Sequence, residues 1–229
     1  MLQGGERTVV TVDGLSASGK SALARALADK LGFAHLNSGL LYRAAGFLAH
    51  KAGLRYEDGP MIAQELAQHS IVLRHDERLG AVVEIDRVPY EAELMSRAIS
   101  DAASAVARHK PVRDHFLLLQ RRAFEPMGVV AEGRDMGTIV FPDAPVKFFV
   151  EARLDVRAQR RCEQLRAGGH AADLPAIRQE IAERDERDST RAVAPTKPAD
   201  GAIIIDNSEA TLAENASRMA DIVLQRQSR

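Results

Sequence analysis

The stretch that most restricts what this chain can fold into is Val9 to Ser21, VVTVDGLSASGKS. Val9, Val10 and Val12 make a short β-branched run, enough for one buried parallel strand. Gly14-Leu15-Ser16-Ala17-Ser18-Gly19-Lys20-Ser21 then spells G-x-x-x-x-G-K-[ST] without a mismatch. Leu23, Leu27 and Leu31 recur every four residues behind it, the spacing of an amphipathic helix. Strand, glycine loop and helix in that order form a phosphate cradle. The glycines let backbone N–H groups converge on an anion, and the helix N-terminus adds its positive end. Lys20 reaches β- and γ-phosphates as a point charge, and the Ser21 hydroxyl is the expected Mg²⁺ ligand. The motif alone does not separate a kinase from an ATPase or a GTPase.

The rest of the chain reads as an α/β sheet protein with two interruptions. Phe33 to Leu36 is a short apolar segment, and Ser38 is placed to cap a helix from Leu40 to Lys51. Ser70 to Tyr90 reads as two strands joined by the polar turn HDERLG, a small antiparallel hairpin. Glu93 to Ala107 returns to helical spacing, and Pro111 opens a further helix to about Phe124. Val129–Ala131, Val146–Val150 and Ala202–Ile205 are short apolar strands separated by helices, the pattern of a parallel sheet covered on both faces. Leu154–Ala167 and Leu174–Thr190 are charged helices, and Leu212 to Leu224 closes the chain as another. The expected division is a P-loop core over 1–37, 108–153 and 192–229, a lobe over 38–107 and a lid over 154–191.

Composition excludes more than it selects. A formal net charge of −1 over 229 residues gives no bulk case for nucleic acid or an anionic membrane. No apolar run approaches the roughly 18 residues of a membrane span. The one cysteine, Cys162, permits no internal disulfide, which suits a reducing cytoplasm. Flanked by arginines on a helix, it reads as an inert thiol.

Two further constellations carry chemistry. ERDERDSTR places Arg184, Arg187 and Arg191 among Asp185 and Asp188. Three- and four-residue spacing allows pairing along one helix face. In an arginine-rich helix pair beside a phosphate site, an arm that brings arginines onto a transferring phosphoryl group is the better reading. Glu132 ends a buried strand, where a carboxylate can hold Mg²⁺ or one of its waters. Arg134 and Asp135 follow Gly133 on a loop at the carboxyl end of that strand, where α/β sheets bind ligands.

At these residues the chain resembles the bacterial cytidylate kinases, of the nucleoside-monophosphate kinase family, over nearly its whole length. The resemblance rests on DGLSASGKS, NSGLLYR (Asn37–Arg43), EGRDMGTIVFPDAPVKFF (Glu132–Phe149) and ERDERDSTRAVAP (Glu183–Pro195). It implies a monomeric, cytoplasmic ATP:(d)CMP phosphotransferase using Mg²⁺. In that family's pattern Ser38 and Arg43 make the first contacts to the monophosphate, with Arg134 and Arg191 as its other phosphate-binding arginines. Ser104, Arg113 and Asp135 match the residues that read cytosine, and Arg184 and Asp188 those near the ribose and the transferring phosphate. Lys20, Arg134, Arg184, Asp188 and Arg191 are thereby the catalytic set. Two positions depart from the pattern. Ala22 stands where relatives often carry Thr, which removes an α-phosphate hydrogen bond. Glu132 stands where Asp is common, which alters how the metal's water shell is held. The competing readings are a kinase for another acceptor, such as UMP or AMP, and a non-catalytic nucleotide-binding switch. Against the switch, the guanine-reading Asn-Lys-x-Asp is not apparent.

Overall fold

The computed structural model describes residues 7–76 and 80–227. β1 (Val9–Gly14) feeds the glycine loop and α1 (Lys20–Leu31), whose Leu23, Ala24, Leu27 and Ala28 are buried. Gly32, at φ 64°, ends α1 in the left-handed conformation that glycine tolerates best. β2 (Ala34–Asn37), α2 (Gly39–Lys51) and α3 (Gly59–Leu66) follow, then β3 (Ile71–Asp76), β4 (Gly80–Ile85) and β5 (Val88–Pro89). α4 (Glu91–Leu94), α5 (Arg97–Val106) and α6 (Lys110–Arg122) lead back to β6 (Val129–Gly133). A π-helical turn, Met136–Val140, separates β6 from β7 (Val146–Glu151). α7 (Leu154–Ala167), α8 (Leu174–Thr190), β8 (Ile203–Asp206) and α9 (Leu212–Gln227) complete the chain.

The main sheet runs β2-β6-β1-β7-β8 with every pairing parallel. β1 is central, with Val12 opposite both Glu132 and Phe148. One face packs Val10, Val12 and Phe148 against Leu23 and Leu27 of α1 and Met219 and Val223 of α9. The other covers Leu36, Val129 and Ala131 with Met136 and Val140 of the π-helical turn. Burial on both faces is why β1, β6 and β7 read as apolar runs rather than as alternating patterns, whereas β8, at the sheet edge, buries Ile205 and leaves Ile204 exposed. A second apolar cluster gathers Leu41, Leu48, Ile62, Ile85, Val106 and Phe116 from α2 to α6. A third, much smaller, joins α7 and α8 through Ala158, Cys162, Ile177 and Ile181.

Three local expectations change. The inserted sheet has three antiparallel strands, because β5 adds a two-residue edge to β4; residues 77–79 of the polar turn lie outside the described residues. The helix expected over Glu93–Ala107 is two helices. Ser96 is extended (ψ 154°) and its hydroxyl accepts from the Ile99 N–H at 3.4 Å, so an N-cap interrupts an otherwise continuous spacing. Ser38 does not cap α2; its hydroxyl donates to the Glu132 carbonyl at 2.7 Å. Among the described residues no helix is long and apolar enough to cross a membrane.

Candidate active site

The glycine loop is shaped by close approach. A Cβ on Gly14 would lie 2.1 Å from the Val150 carbonyl oxygen, so any side chain there would force β1 away from β7. Gly19 caps α1 in the left-handed region at φ 85°, and a Cβ there would sit 2.5 Å from Nδ2 of Asn207. That amide donates to the Ser18 carbonyl at 2.8 Å, while its oxygen accepts from Asn215 at 2.9 Å. The end of β8 and the start of α9 therefore brace the loop from behind. The first turn of α1 carries no acidic residue, leaving its positive end open to an anion.

Lys20 donates to the Leu15 carbonyl at 3.2 Å, and Ser21 stands exposed at the mouth of the helix. Burial pushes the Lys20 ammonium down to about 7, and the Arg134 and Arg184 guanidiniums add to this against the pull of Glu132 and Asp188. Arg184 is itself driven down to about 10 by burial and by Arg134. Such crowding of cations favours an anion of high charge, which would return Lys20 to its charged form.

The loop after β6 is pinned by a residue not singled out from sequence. Asp13 accepts the N–H groups of Met136 and Gly137, each at 2.8 Å. Burial pushes its carboxyl up to about 7 despite those two bonds. Arg134 is thereby placed to donate to the Gly14 carbonyl at 2.8 Å and to Asp188 of α8 at 3.0 Å. Burial disfavours the charge on Asp188, but Arg134, Arg184 and Arg191 outweigh it and hold the carboxyl below its usual range. Arg191 donates to the Ala194 carbonyl at 2.6 Å and lies 3.9 Å from Asp188. Its Nη2 is buried without a partner.

Glu132 is 1% exposed, and neither carboxylate oxygen has a hydrogen bond. His35 Nε2 lies 3.4 Å away. Burial would raise the Glu132 carboxyl, yet His35, Lys20 and Ser21 together hold it below its usual range. A buried ionised carboxylate with spare acceptor capacity fits a hard cation or its water shell. Among the described residues no group of three or more His, Cys, Asp or Glu is arranged to hold a metal. That thin protein donor set suits Mg²⁺, which keeps several waters and leans on substrate phosphates.

At the far end Arg113 and Asp135 form a buried ion pair. Arg113 also donates to the Ala107 carbonyl at 2.9 Å and lies 5.1 Å from the centre of the Tyr42 ring. Arg43 donates to the Leu94 carbonyl at 2.7 Å and to Ser100 Oγ at 3.1 Å, so it spans the break between α4 and α5. Ser38 can approach Glu132 only because residue 133 is glycine; a Cβ there would sit 2.6 Å from Ser38 Oγ.

One cavity of about 360 Å³ is lined by Ser38, Arg43, Ser104, Arg113, Glu132, Arg134, Asp135, Arg184, Asp188 and Arg191. A cleft of about 520 Å³ on the glycine-loop side shares Lys20, Ser21, Arg43, Ser100, Arg134, Gln164 and Arg184 with it. Two anionic ligands, one in each, would meet at the shared cations Lys20, Arg43, Arg134 and Arg184. Tyr42, Ser100 and Gln164 also line the cavity, without a role assigned to them from sequence. Of these only Tyr42 left a signal, through its place in the first turn of α2.

The description of the family "Cytidylate kinase" matches residues 10–225. A cytidylate kinase of Haemophilus ducreyi is 40% identical over 211 residues, 92% of this chain and 93% of that one. One of Burkholderia thailandensis is 41% identical over 211 residues, 92% of this chain and 90% of its own. Among solved structures, an uncharacterised protein from Eubacterium ventriosum superposes with a TM-score of 0.51 at 14% identity, covering 97% of this chain and all of the other, a likeness of fold alone. Identity at this level, across nearly the full length of both proteins, places the chain in the cytidylate kinase family, among the nucleoside-monophosphate kinases.

Proposed function

We propose that the chain transfers the γ-phosphoryl group of ATP to CMP and dCMP, as a cytoplasmic monomer with Mg²⁺ as cofactor. The observation that carries the reading is the buried Asp135–Arg113 pair at one end of a cavity whose other end gathers Lys20, Arg134 and Arg184. Cytosine offers an N4 donor with N3 and O2 acceptors. A carboxylate accepts from N4, as in nucleic-acid readout, and a guanidinium donates to the two acceptors. In this reading Asp135, Arg113 and Ser104 read the base. Ser38, Arg43, Arg134 and Arg191 hold the monophosphate, and Gly14 to Ser21 hold the phosphates of ATP. Arg184 and Asp188 stand by the ribose and the transferring group.

The acceptor phosphate oxygen attacks the γ-phosphorus, the bond to the β–γ bridging oxygen breaks, and ADP leaves. No strong base is needed, because positioning and charge neutralisation carry phosphoryl transfer. Ser21 and Glu132 are the residues that would hold Mg²⁺, directly or through water, and the ion would supply positive charge to the phosphates of ATP. The segment 38–107 acts as the monophosphate lobe. The lid, 154–191, closes over both nucleotides and keeps water from the γ-phosphorus.

Initial rates with ATP against CMP, dCMP, UMP, AMP and GMP, read by coupled ADP detection, test the proposal. CMP and dCMP are expected to be fastest. A faster UMP or AMP would make this a kinase for that acceptor, and tight nucleotide binding without stimulated turnover would make it a switch. A second test concerns Arg191, whose free Nη2 is expected to find its partner on the nucleotide pair. Arg191→Ala should lower kcat by about 100-fold or more, the scale of a lost transition-state contact, while ATP binding changes little. A loss no larger than that from the exposed Arg218→Ala would remove Arg191 from the site.

A further inference from the structure

The mechanism leaves two buried or half-buried charges of the lid unused, and both converge on one residue of the glycine loop. Asp185 Oδ1 accepts from the Ser16 N–H at 2.9 Å. Its Oδ2 pairs with Arg157, in the first turn of α7. The same Arg157 Nη1 donates to the Ser16 carbonyl at 2.9 Å, and its Nε donates to the Ala152 carbonyl at 2.8 Å, where β7 runs into α7. Ser16 thus gives its N–H to one lid helix and its C=O to the other. Ala17 beside it packs on the apolar cluster that joins α7 to α8. The lid docks on the loop through these two consecutive residues.

Asp185 sits one residue after Arg184 and three before Asp188 on α8. Successive helical side chains point about 100° apart, so fixing Asp185 fixes the rotation of α8 and with it the aim of both neighbours. Arg184 has most to lose. Its Nε is buried without a partner, and it lines both the glycine-loop cleft and the base cavity. Asp188, by contrast, is held from the other side by Arg134.

We propose that Asp185 and Arg157 are positioning residues for phosphoryl transfer: they clasp the lid to the glycine loop at Ser16 and so set the direction in which Arg184 meets the reacting phosphates. This rests on the reading of Arg184 given above. A side chain displaced by about 1 Å can lose about a hundredfold in rate, and that is the scale expected when the clasp is cut.

The test is a double-mutant cycle on the full chain with ATP and CMP, reading kcat, both KM values and the thermal midpoint. Asp185→Ala should lower kcat by about 10- to 100-fold with KM for CMP within about twofold. Asp185→Asn keeps an acceptor for the Ser16 N–H but loses the charge toward Arg157, so it should fall between the wild type and Asp185→Ala. It also serves where the alanine variant fails to fold. The deciding measurement is the same Asp185 substitution in an Arg184→Ala background. If Asp185 works through Arg184, the second substitution costs little more than the first, because residues acting as a unit are not additive. An equal fold-loss in both backgrounds, or an unchanged kcat in folded Asp185→Ala or Asp185→Asn, overturns the proposal. Absence of CMP turnover in the wild type overturns only the substrate reading, and the cycle is then run with whichever monophosphate the protein phosphorylates.

Discussion

Lys20→Ala is expected to fold normally and to lose its turnover. Lys20 donates to the Leu15 carbonyl, and burial, with Arg134 and Arg184 beside it, pushes its ammonium down to about 7. Removing one of three crowded cations relieves repulsion, so the thermal midpoint should hold or rise slightly. Turnover responds in the opposite sense. The transferring phosphoryl group carries its charge on equatorial oxygens, and the closest ammonium stabilises that charge. Losing one preorganised donor costs about 10²–10³ in kcat, and a point charge on a phosphoryl group lies at the upper end of that scale. The check is kcat beside a thermal melt. A well-folded variant within tenfold of the wild-type kcat would move the chemistry away from the glycine loop.

The other large effect belongs to Asp135→Asn, and it appears in a ratio. An ionised carboxylate accepts only. Facing CMP it meets the N4 amino group; facing UMP it would meet O4, setting acceptor against acceptor in a site where Asp135 is 2% exposed. A buried mismatch of that kind costs about 1–3 kcal/mol, which is roughly 5- to 150-fold in kcat/KM. Asparagine keeps the shape and offers a donor that can turn to O4. The preference for CMP over UMP should therefore narrow by about tenfold or more, mostly through a fall with CMP. The same substitution weakens the pair with Arg113. Stability should drop, though by less than the roughly 3–5 kcal/mol of a fully broken buried ion pair, because asparagine still offers Arg113 an acceptor oxygen. That loss bears on both nucleotides alike and cancels in the ratio. Steady-state kinetics with both nucleotides on both proteins decide the matter, and an unchanged ratio would take base reading away from Asp135.

What could be read in the sequence was local. β1, the glycine loop and α1 announce themselves because a β-branched run, two glycines and a four-residue leucine repeat fall within one short stretch. The contacts that escaped join residues far apart in the chain. Ser38 has the composition of a helix cap, yet its hydroxyl goes to Glu132, brought beside it by the parallel pairing of β2 and β6. The break after Leu94 is set by Ser96, an N-cap hidden in a continuous spacing. Asp185 looked self-sufficient, since arginines at helical spacing could satisfy it on its own helix. Its partners are instead Arg157 on the neighbouring helix and the backbone of Ser16. Asp13 lies inside the most legible stretch of all, but its two N–H donors lie more than a hundred residues downstream.

The small apolar cluster between α7 and α8 makes the chain's single thiol a natural clock. Cys162 is 1% exposed and belongs to a cluster of four buried residues, whereas the core under α2 to α6 is several times larger. So little buried apolar surface lets the two helices part at a small free-energy cost while the sheet stays folded, as a locally unfolding unit does. Each parting uncovers Cys162 and nothing else that reacts as a thiol. The pace at which a thiol reagent labels the intact protein therefore reports how readily α7 and α8 part, with no engineered probe.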